Sequence, residues 1–451
     1  MDKFNKLRQQ YPIFIYESYT IEETCDSFKV VFHFDVPGLT KFNPTWSFPK
    51  PQEKITKDKM DIFERTIFNL GMVEVLSYLK STCSPTLIVK AGSLNEEQIA
   101  WYKKLYVNGL GEFFYKNDIV EAMNIETFVD IKCEYKEEEK LKINNELYGN
   151  LVPVGGGKDS ALTLEILKDM DNLCYIVNPR GASLGTALTA GYNDRIYTPK
   201  RTLDKKLLEL NGKGFLNGHT PFSAILAFSS YAAAILLERK YIVLSNEASA
   251  NEGNVKGTKI NHQYSKGIEF ENDFRNYVSK YICENGPEYF SLLRPISEWQ
   301  IVRGFVKNPK YFEVFKSCNA GSKQDIWCEN CSKCLYVYIM LNAFLSDEEM
   351  KKIFKQDLLD RQDLRDIFNG LVYPDYDKPF ECVGTKEEVN LSIEMIKEKY
   401  LKEGKDLPCL LKDFKSSFYD LNIEINRFKE YWNNDNNLKP EFVKALKSYI
   451  K

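Results

Sequence analysis

The sequence predicts an α/β chain, in which a parallel-sheet core follows an N-terminal α+β domain and precedes a C-terminal helical extension. Three observations predict it. Between about 148 and 345, short apolar strand patterns alternate with helical ones, the grammar of parallel pairing. Before that stretch, a strand run and a long helical pattern stand without such alternation. After it, the chain turns charged and helix-compatible. The expected domains are 1–147, 148–345 and 346–451.

Residues 28–34 are β-branched and aromatic and read as a strand. Over 61–80, Ile62, Ile67, Leu70, Val73, Val75, Leu76 and Leu79 are among the apolar residues at helical spacing. Asn95 before Glu96 and Glu97 reads as a helix start. The charged, poorly patterned run 135–142 reads as a linker. Residues 151–154 form a short apolar strand, followed by a glycine turn and a helix from Ser160 through Leu162, Leu164, Ile166 and Leu167. Strands are expected again at 173–177 and 241–244. Thr220 caps a helix with Pro221 in its first position. The uncharged stretch 221–237 is short for a membrane span and reads as a buried core helix. In the tail, 347–359 and 386–402 carry helical sequence. Ligands of parallel sheets bind beyond the carboxyl ends of the strands, here 155–159, 178–181 and 245–254.

The composition narrows the function classes. Of 451 residues, 43% are hydrophobic and 14% aromatic, enough for a substantial core. The formal net charge of −3 lacks the basic excess of a nucleic-acid binder. The start Met1-Asp2-Lys3-Phe4 is charged with no apolar stretch behind it, so no export signal is expected, and the location read is the cytoplasm with no membrane partner. Eleven cysteines without an export signal read as thiols or metal ligands rather than a disulfide framework.

The chemistry concentrates in Gly155-Gly156-Gly157-Lys158-Asp159-Ser160, at a strand-to-helix junction. Glycines allow close backbone approach to an anion, and the N–H groups at the helix start then point at phosphate oxygens. Ser160 adds a hydroxyl donor. Lys158 either neutralises charge or faces solvent, and Asp159 either orients Mg²⁺ or holds the turn. The P-loop pattern GxxxxGK[ST] does not occur, and GxGxxG fails because position 160 is Ser. The loop resembles the SGGxDS-type loop of the ATP pyrophosphatases, with Gly155 in place of the usual first Ser. That resemblance implies a PP-loop fold that cleaves ATP between its α and β phosphates and passes AMP to an oxygen.

Cys318, Cys328, Cys331 and Cys334 form the one tight cysteine cluster. Four thiolates at such spacing suit a tetrahedral, structural Zn²⁺. An iron–sulfur cluster takes the same ligands, and reduced core thiols are the plain alternative.

Further stretches carry a narrower resemblance: 244–254, with Asn246, Glu247, Asn251 and Asn254; 260–266, with His262, Gln263, Tyr264 and Lys266; 289–295, with Arg294; the cysteine cluster; and 380–385. Together they resemble the ATP-dependent UDP-N-acetylmuramoyl-L-alanyl-L-glutamate epimerases over most of the chain. The resemblance implies that the terminal L-glutamate of a UDP-muramoyl dipeptide is inverted to D-glutamate in peptidoglycan biosynthesis, at the expense of ATP and with Mg²⁺. Adenylation cancels the carboxylate charge, so the α proton comes within reach of a side-chain base. Reprotonation on the other face inverts the centre, and water releases AMP. Asn178, at a predicted strand end, and Asn246 are expected against the nucleotide, and Glu247 as a Mg²⁺ ligand or base. His262 is catalytic or structural, Tyr264 a general acid or a packed ring, and Lys266 a polar member of the same loop. Arg294 suits a carboxylate or diphosphate through bidentate pairing. The main rival, the 7-cyano-7-deazaguanine synthases, pairs a similar loop with a CxxCxxC end. Those enzymes are much shorter and leave 1–147 and the tail unexplained. Thiolation of a tRNA base by a related enzyme fits the acidic balance poorly.

Overall fold

The structure, a computed structural model, describes residues 2–255, 258, 260–415, 418 and 420–451. Its strands, in chain order, are β1 (Ile13–Glu23), β2 (Ser27–Val36), β3 (Thr40–Phe42), β4 (Thr45–Pro49), β5 (Thr86–Val89), β6 (Asp130–Cys133), β7 (Tyr148–Pro153), β8 (Asn172–Tyr175), β9 (Ile196–Tyr197), β10 (Lys200–Thr202), β11 (Arg239–Leu244) and β12 (Glu288–Ser291). The fold is mixed α/β with parallel strand pairs and many helices. Contacts divide the chain into two units built from separated stretches. Residues 1–151, 197–242 and 258–289 form the first, and 152–196, 243–257 and 290–451 the second.

The first unit holds a seven-stranded sheet of order β10-β4-β2-β1-β5-β6, with β3 added on β2. β1 pairs antiparallel with β2 and parallel with β5, so the sheet is mixed. Phe28, Val30, Phe32, Phe34 and Val36 alternate along β2 and all face the core, the period of two that a half-buried strand requires. Helix Lys57–Leu79 lies against this sheet, and its Gly71 permits the approach, since a Cβ there would stand 2.5 Å from Cζ of Tyr16. Helix Phe222–Leu236 packs on Lys57–Leu79, with most of its residues buried. The uncharged stretch 221–237 is thus a core helix. No described helix is long and apolar enough to cross a membrane.

A second sheet has the order β12-β11-β7-β8-β9, with β11 parallel to β7 and Tyr241 opposite Asn150. The strand expected at 241–244 falls in β11, and those expected at 151–154 and 173–177 overlap β7 and β8, which end at Pro153 and Tyr175. The carboxyl ends of β7, β8, β11 and β12 belong to the second unit. The core of that unit centres on helix Ser332–Asn342, buried from Lys333 onward, with helices Glu298–Phe305, Arg365–Val372 and Lys386–Lys402 around it. Beyond residue 345 the described residues form helices and turns without a strand. Helix Lys386–Lys402 opens on a Thr385–Glu388 capping box.

Candidate active site

In the second unit, the loop after β7 turns into helix Lys158–Ile166 through the glycines. Gly156 has φ +90°, and a Cβ there would lie 2.6 Å from the backbone carbon of Ala182, so only glycine fits. Gly155 differs, because a Cβ there would meet nothing within 4 Å. Ser160 closes the turn: its Oγ accepts from the Gly156 N–H at 3.1 Å and donates to the Gly157 carbonyl at 3.0 Å. The loop therefore presents a helix N-terminus with space beside its first glycine, the arrangement that suits an anion.

Lys158 does not face solvent. Its ammonium is buried, 2.6 Å from Oε2 of Glu298 and 2.5 Å from Oδ1 of Asp159. Burial opposes that charge, but the two carboxylates outweigh it and hold the ammonium above the ordinary lysine value. Carboxylate oxygens of Asp159, Glu247 and Glu298 lie within 4.8 Å of one another. Glu298 is pushed up to about 7, first by burial and then by Asp159 and Glu247, with Lys158 opposing. Tyr336 donates to the same Glu298 oxygen at 3.0 Å. The segment 380–385 reaches this cluster too. A Cβ on Gly384 would stand 2.6 Å from Tyr336 Oη and 3.1 Å from Glu298 Cβ, and Lys333 donates to the Cys382 carbonyl. Three carboxylates so placed are the hard oxygen donors that Mg²⁺ takes, and the Lys158 ammonium neutralises two of them here.

The strand ends place the remaining candidates of this unit. Asn246 follows β11 and donates to Ser291 Oγ at 3.0 Å. Glu247 is buried and accepts from Ser249 Oγ at 3.4 Å. Asn178, beyond β8, is exposed at φ +49°. Arg294 departs from expectation. It is fully buried and donates to the Glu247 carbonyl at 2.8 Å and to Ser291 Oγ at 3.3 Å. The guanidinium braces the chain around Glu247 from beneath.

The four cysteines converge as well. Sulfur separations are 3.9 Å for Cys318–Cys331, 3.7 Å for Cys328–Cys334 and 3.5 Å for Cys331–Cys334. Zinc–sulfur bonds of ~2.3 Å in a tetrahedron put sulfurs about 3.8 Å apart. The N–H groups of Gly321 and Cys328 point at Cys318 Sγ at 3.2 and 3.5 Å, as they would toward a thiolate. Its hydrogen bond with Cys334 is the main influence pulling Cys331 down to about 5.

His262, Tyr264 and Lys266 belong to the first unit. The Nδ1 of His262 is 2.6 Å from Oε2 of Glu112, and the ring of His219 lies 4.4 Å from that of His262. Burial, then the charge of His262, pull His219 down to about 4. Tyr264 is buried and pushed up to about 12, chiefly by that burial.

Three partners escaped the sequence reading: Glu298, Glu112 and His219. Glu298 had a usable signal, because Ser297 and Gln300 form a capping box two residues past Pro295, placing Glu298 in the first turn of a helix. Glu112 and His219 had none, since they join His262 from 150 and 43 residues away.

A family model described as the MurL N-terminal domain matches residues 5–292, and one described as the MurL C-terminal domain matches 314–416. The chain is 32% identical over 372 residues to the UDP-N-acetyl-alpha-D-muramoyl-L-alanyl-L-glutamate epimerase of Salinispora tropica, covering 80% of this chain and 79% of that protein. It is 30% identical to the protein of the same name from Micromonospora sp., covering 90% and 91%. A third of that name, from Xanthomonas oryzae pv. oryzae, is 32% identical and covers 71% of each chain. No solved structure matches the chain.

Proposed function

The chain belongs to the MurL family, and on that premise we propose that it inverts the terminal L-glutamate of UDP-N-acetyl-α-D-muramoyl-L-alanyl-L-glutamate to D-glutamate, using ATP to adenylate the glutamyl carboxylate, as a step of peptidoglycan biosynthesis. Inversion is the reading that the relatives' names support. Adenylation rests on one observation: a glycine turn at a helix N-terminus, open beside Gly155, adjoins the cluster of Asp159, Glu247, Glu298 and Lys158.

In this reading the turn is a PP-loop. Backbone N–H groups between Gly155 and Ser160 receive the departing pyrophosphate, and the helix start favours its charge. A substrate carboxylate oxygen attacks the α phosphorus of ATP, the bond to the β-phosphate oxygen breaks, and pyrophosphate leaves. The glutamyl group, now an acyl adenylate, has lost its negative charge, so a base removes the α proton more readily. A proton returns on the opposite face, and water splits the bond between the glutamyl acyl group and AMP, restoring the free carboxylate of a D-glutamyl residue still joined to the dipeptide. Asp159, Glu247 and Glu298 would hold Mg²⁺, which screens phosphate charge when bound. Lys158 supplies a fixed positive charge to the same carboxylates. Asn178 and Asn246 are assigned to the nucleotide. The four cysteines would hold a structural Zn²⁺.

The test uses the UDP-muramoyl dipeptide, ATP and Mg²⁺ in D₂O. Wild type should place deuterium on the glutamate α carbon and release AMP and pyrophosphate. Ser160→Ala should slow both by on the order of a hundredfold, because the Ser160 hydroxyl closes the turn that positions the anion-binding N–H groups. Epimerisation that proceeds without ATP would sink the adenylation step, and absence of deuterium uptake would sink the epimerase reading.

A further inference from the structure

Two of the chain's three histidines meet on a single carboxylate. In the first unit, His262 Nδ1 lies 2.6 Å and His219 Nδ1 3.5 Å from the same oxygen, Oε2 of Glu112. The ring centroids are 4.4 Å apart, and one ligand atom from each residue lies within 4.8 Å of the others. The remaining histidine, His33, hydrogen-bonds Asn43 on an exposed part of the chain.

The three side chains come from separate segments that the fold braces together. Glu112 sits in helix Gly111–Lys116, His219 in the stretch before helix Phe222–Leu236, and His262 in the turn after Ile260. Asn117 Nδ2 donates to the Asn217 carbonyl at 3.0 Å, and Lys80 donates to Thr220 Oγ1 at 2.8 Å, which pins both flanks of His219. Gly111 lies against the start of the His262 turn, where a Cβ would make ordinary contact with Ile260 Cγ2 at 3.5 Å. A carboxylate needs one imidazole to orient it. Two, from distant parts of the chain and both largely withdrawn from water, form a ligand set.

We propose that Glu112, His219 and His262 bind a divalent transition-metal ion of the Zn²⁺ class, with a coordination position left open for an oxygen donor. Two imidazoles and one carboxylate are a donor set for such ions. Lys80 and Lys266 add positive charge near His219, which disfavours ions held by charge alone and leaves those that bond to imidazole nitrogen. Ligands at about 2.1 Å from a tetrahedral ion stand about 3.4 Å apart. Uptake therefore asks the His262 ring to withdraw from Glu112 by about 1 Å.

Chelator-stripped full-length protein titrated with CoCl₂ tests the site. Co²⁺ on imidazole and carboxylate gives visible d–d bands, whereas Co²⁺ on the cysteine cluster adds thiolate charge-transfer absorption in the near ultraviolet. Wild type should bind one equivalent without the thiolate signature, and His219→Asn and His262→Asn should each weaken that equivalent by more than about a hundredfold, beyond the roughly 10–100-fold that loss of an outer partner costs. Glu112→Gln, which preserves shape, should act in the same direction where an Asn variant loses its native circular dichroism. A wild type whose bound Co²⁺ all carries the thiolate signature, or that binds none, overturns the proposal. So do folded variants that keep the non-thiolate equivalent at wild-type affinity.

Discussion

The Lys158 ammonium lies 2.6 Å from the Glu298 carboxylate, and both side chains are almost wholly withdrawn from water. Breaking such a pair from one side strands a buried charge, at a cost of about 3–5 kcal/mol. Lys158→Met should therefore lower the urea midpoint strongly. Lys158→Met combined with Glu298→Gln should recover part of the loss, because the stranded carboxylate is gone. A double variant as unstable as the sum of the singles would show that the two residues do not act as a pair.

Glu298 also gives stability a distinctive pH dependence. Its folded value, about 7, lies above its ordinary 4.5. Between those values the native state holds a proton that the unfolded chain has released. The contribution of Glu298 is thus complete below about 4.5 and fades as pH rises through about 7. Unfolding free energies of wild type minus those of Glu298→Gln should slope downward with rising pH across that window and be flat outside it. An upward slope would mean that the carboxylate is held low instead.

Neighbouring glycines should respond in opposite ways. Gly156→Ala forces a side chain into a positive-φ position against the Ala182 backbone and should cost more than about 1 kcal/mol of stability. Gly155→Ala meets nothing within 4 Å and should leave the thermal midpoint nearly unchanged. If the space beside Gly155 receives phosphate, that same variant should still lose AMP formation. Full activity in Gly155→Ala would argue that the space is idle.

Cys331→Ser should reduce bound zinc by one equivalent per chain and lower the melting temperature, since a closed four-ligand site contributes folding energy. Elemental analysis and differential scanning calorimetry check both. Unchanged metal content in this variant would mean that the sulfurs are simply packed thiols.

How much of this was legible in the sequence depends on how local each signal was. The strand leading into Gly155, the helix start at Asn95 and the helix over 386–402 rest on neighbours within a few residues, and the structure has them in place. The Thr220–Pro221 start was displaced by one residue, with Pro221 itself as the cap. The tail helix expected over 347–359 ends at Ile353, where Phe354 turns extended and a 3₁₀ turn follows at Leu358–Asp360. Arg294 shows the limit. Its charge suggested a ligand, but only tertiary contact reveals a guanidinium facing the carbonyl of Glu247. Lys158 was ambiguous for the same reason, as its partner Glu298 is 140 residues away.

The interleaved make-up of the two units bears on how the chain is made. The first unit cannot close until Tyr289 has been synthesised, although its opening stretch ends at Leu151. At ribosomal speeds of roughly 5–20 residues per second, that stretch waits on the order of ten seconds for its missing segments. In the first part of that wait, until Thr202 has been made, β4 lacks its partner β10 and has an unfilled edge. Nascent chains arrested between residues 151 and 200 should therefore be more protease-sensitive and more dependent on chaperones than chains arrested beyond 289.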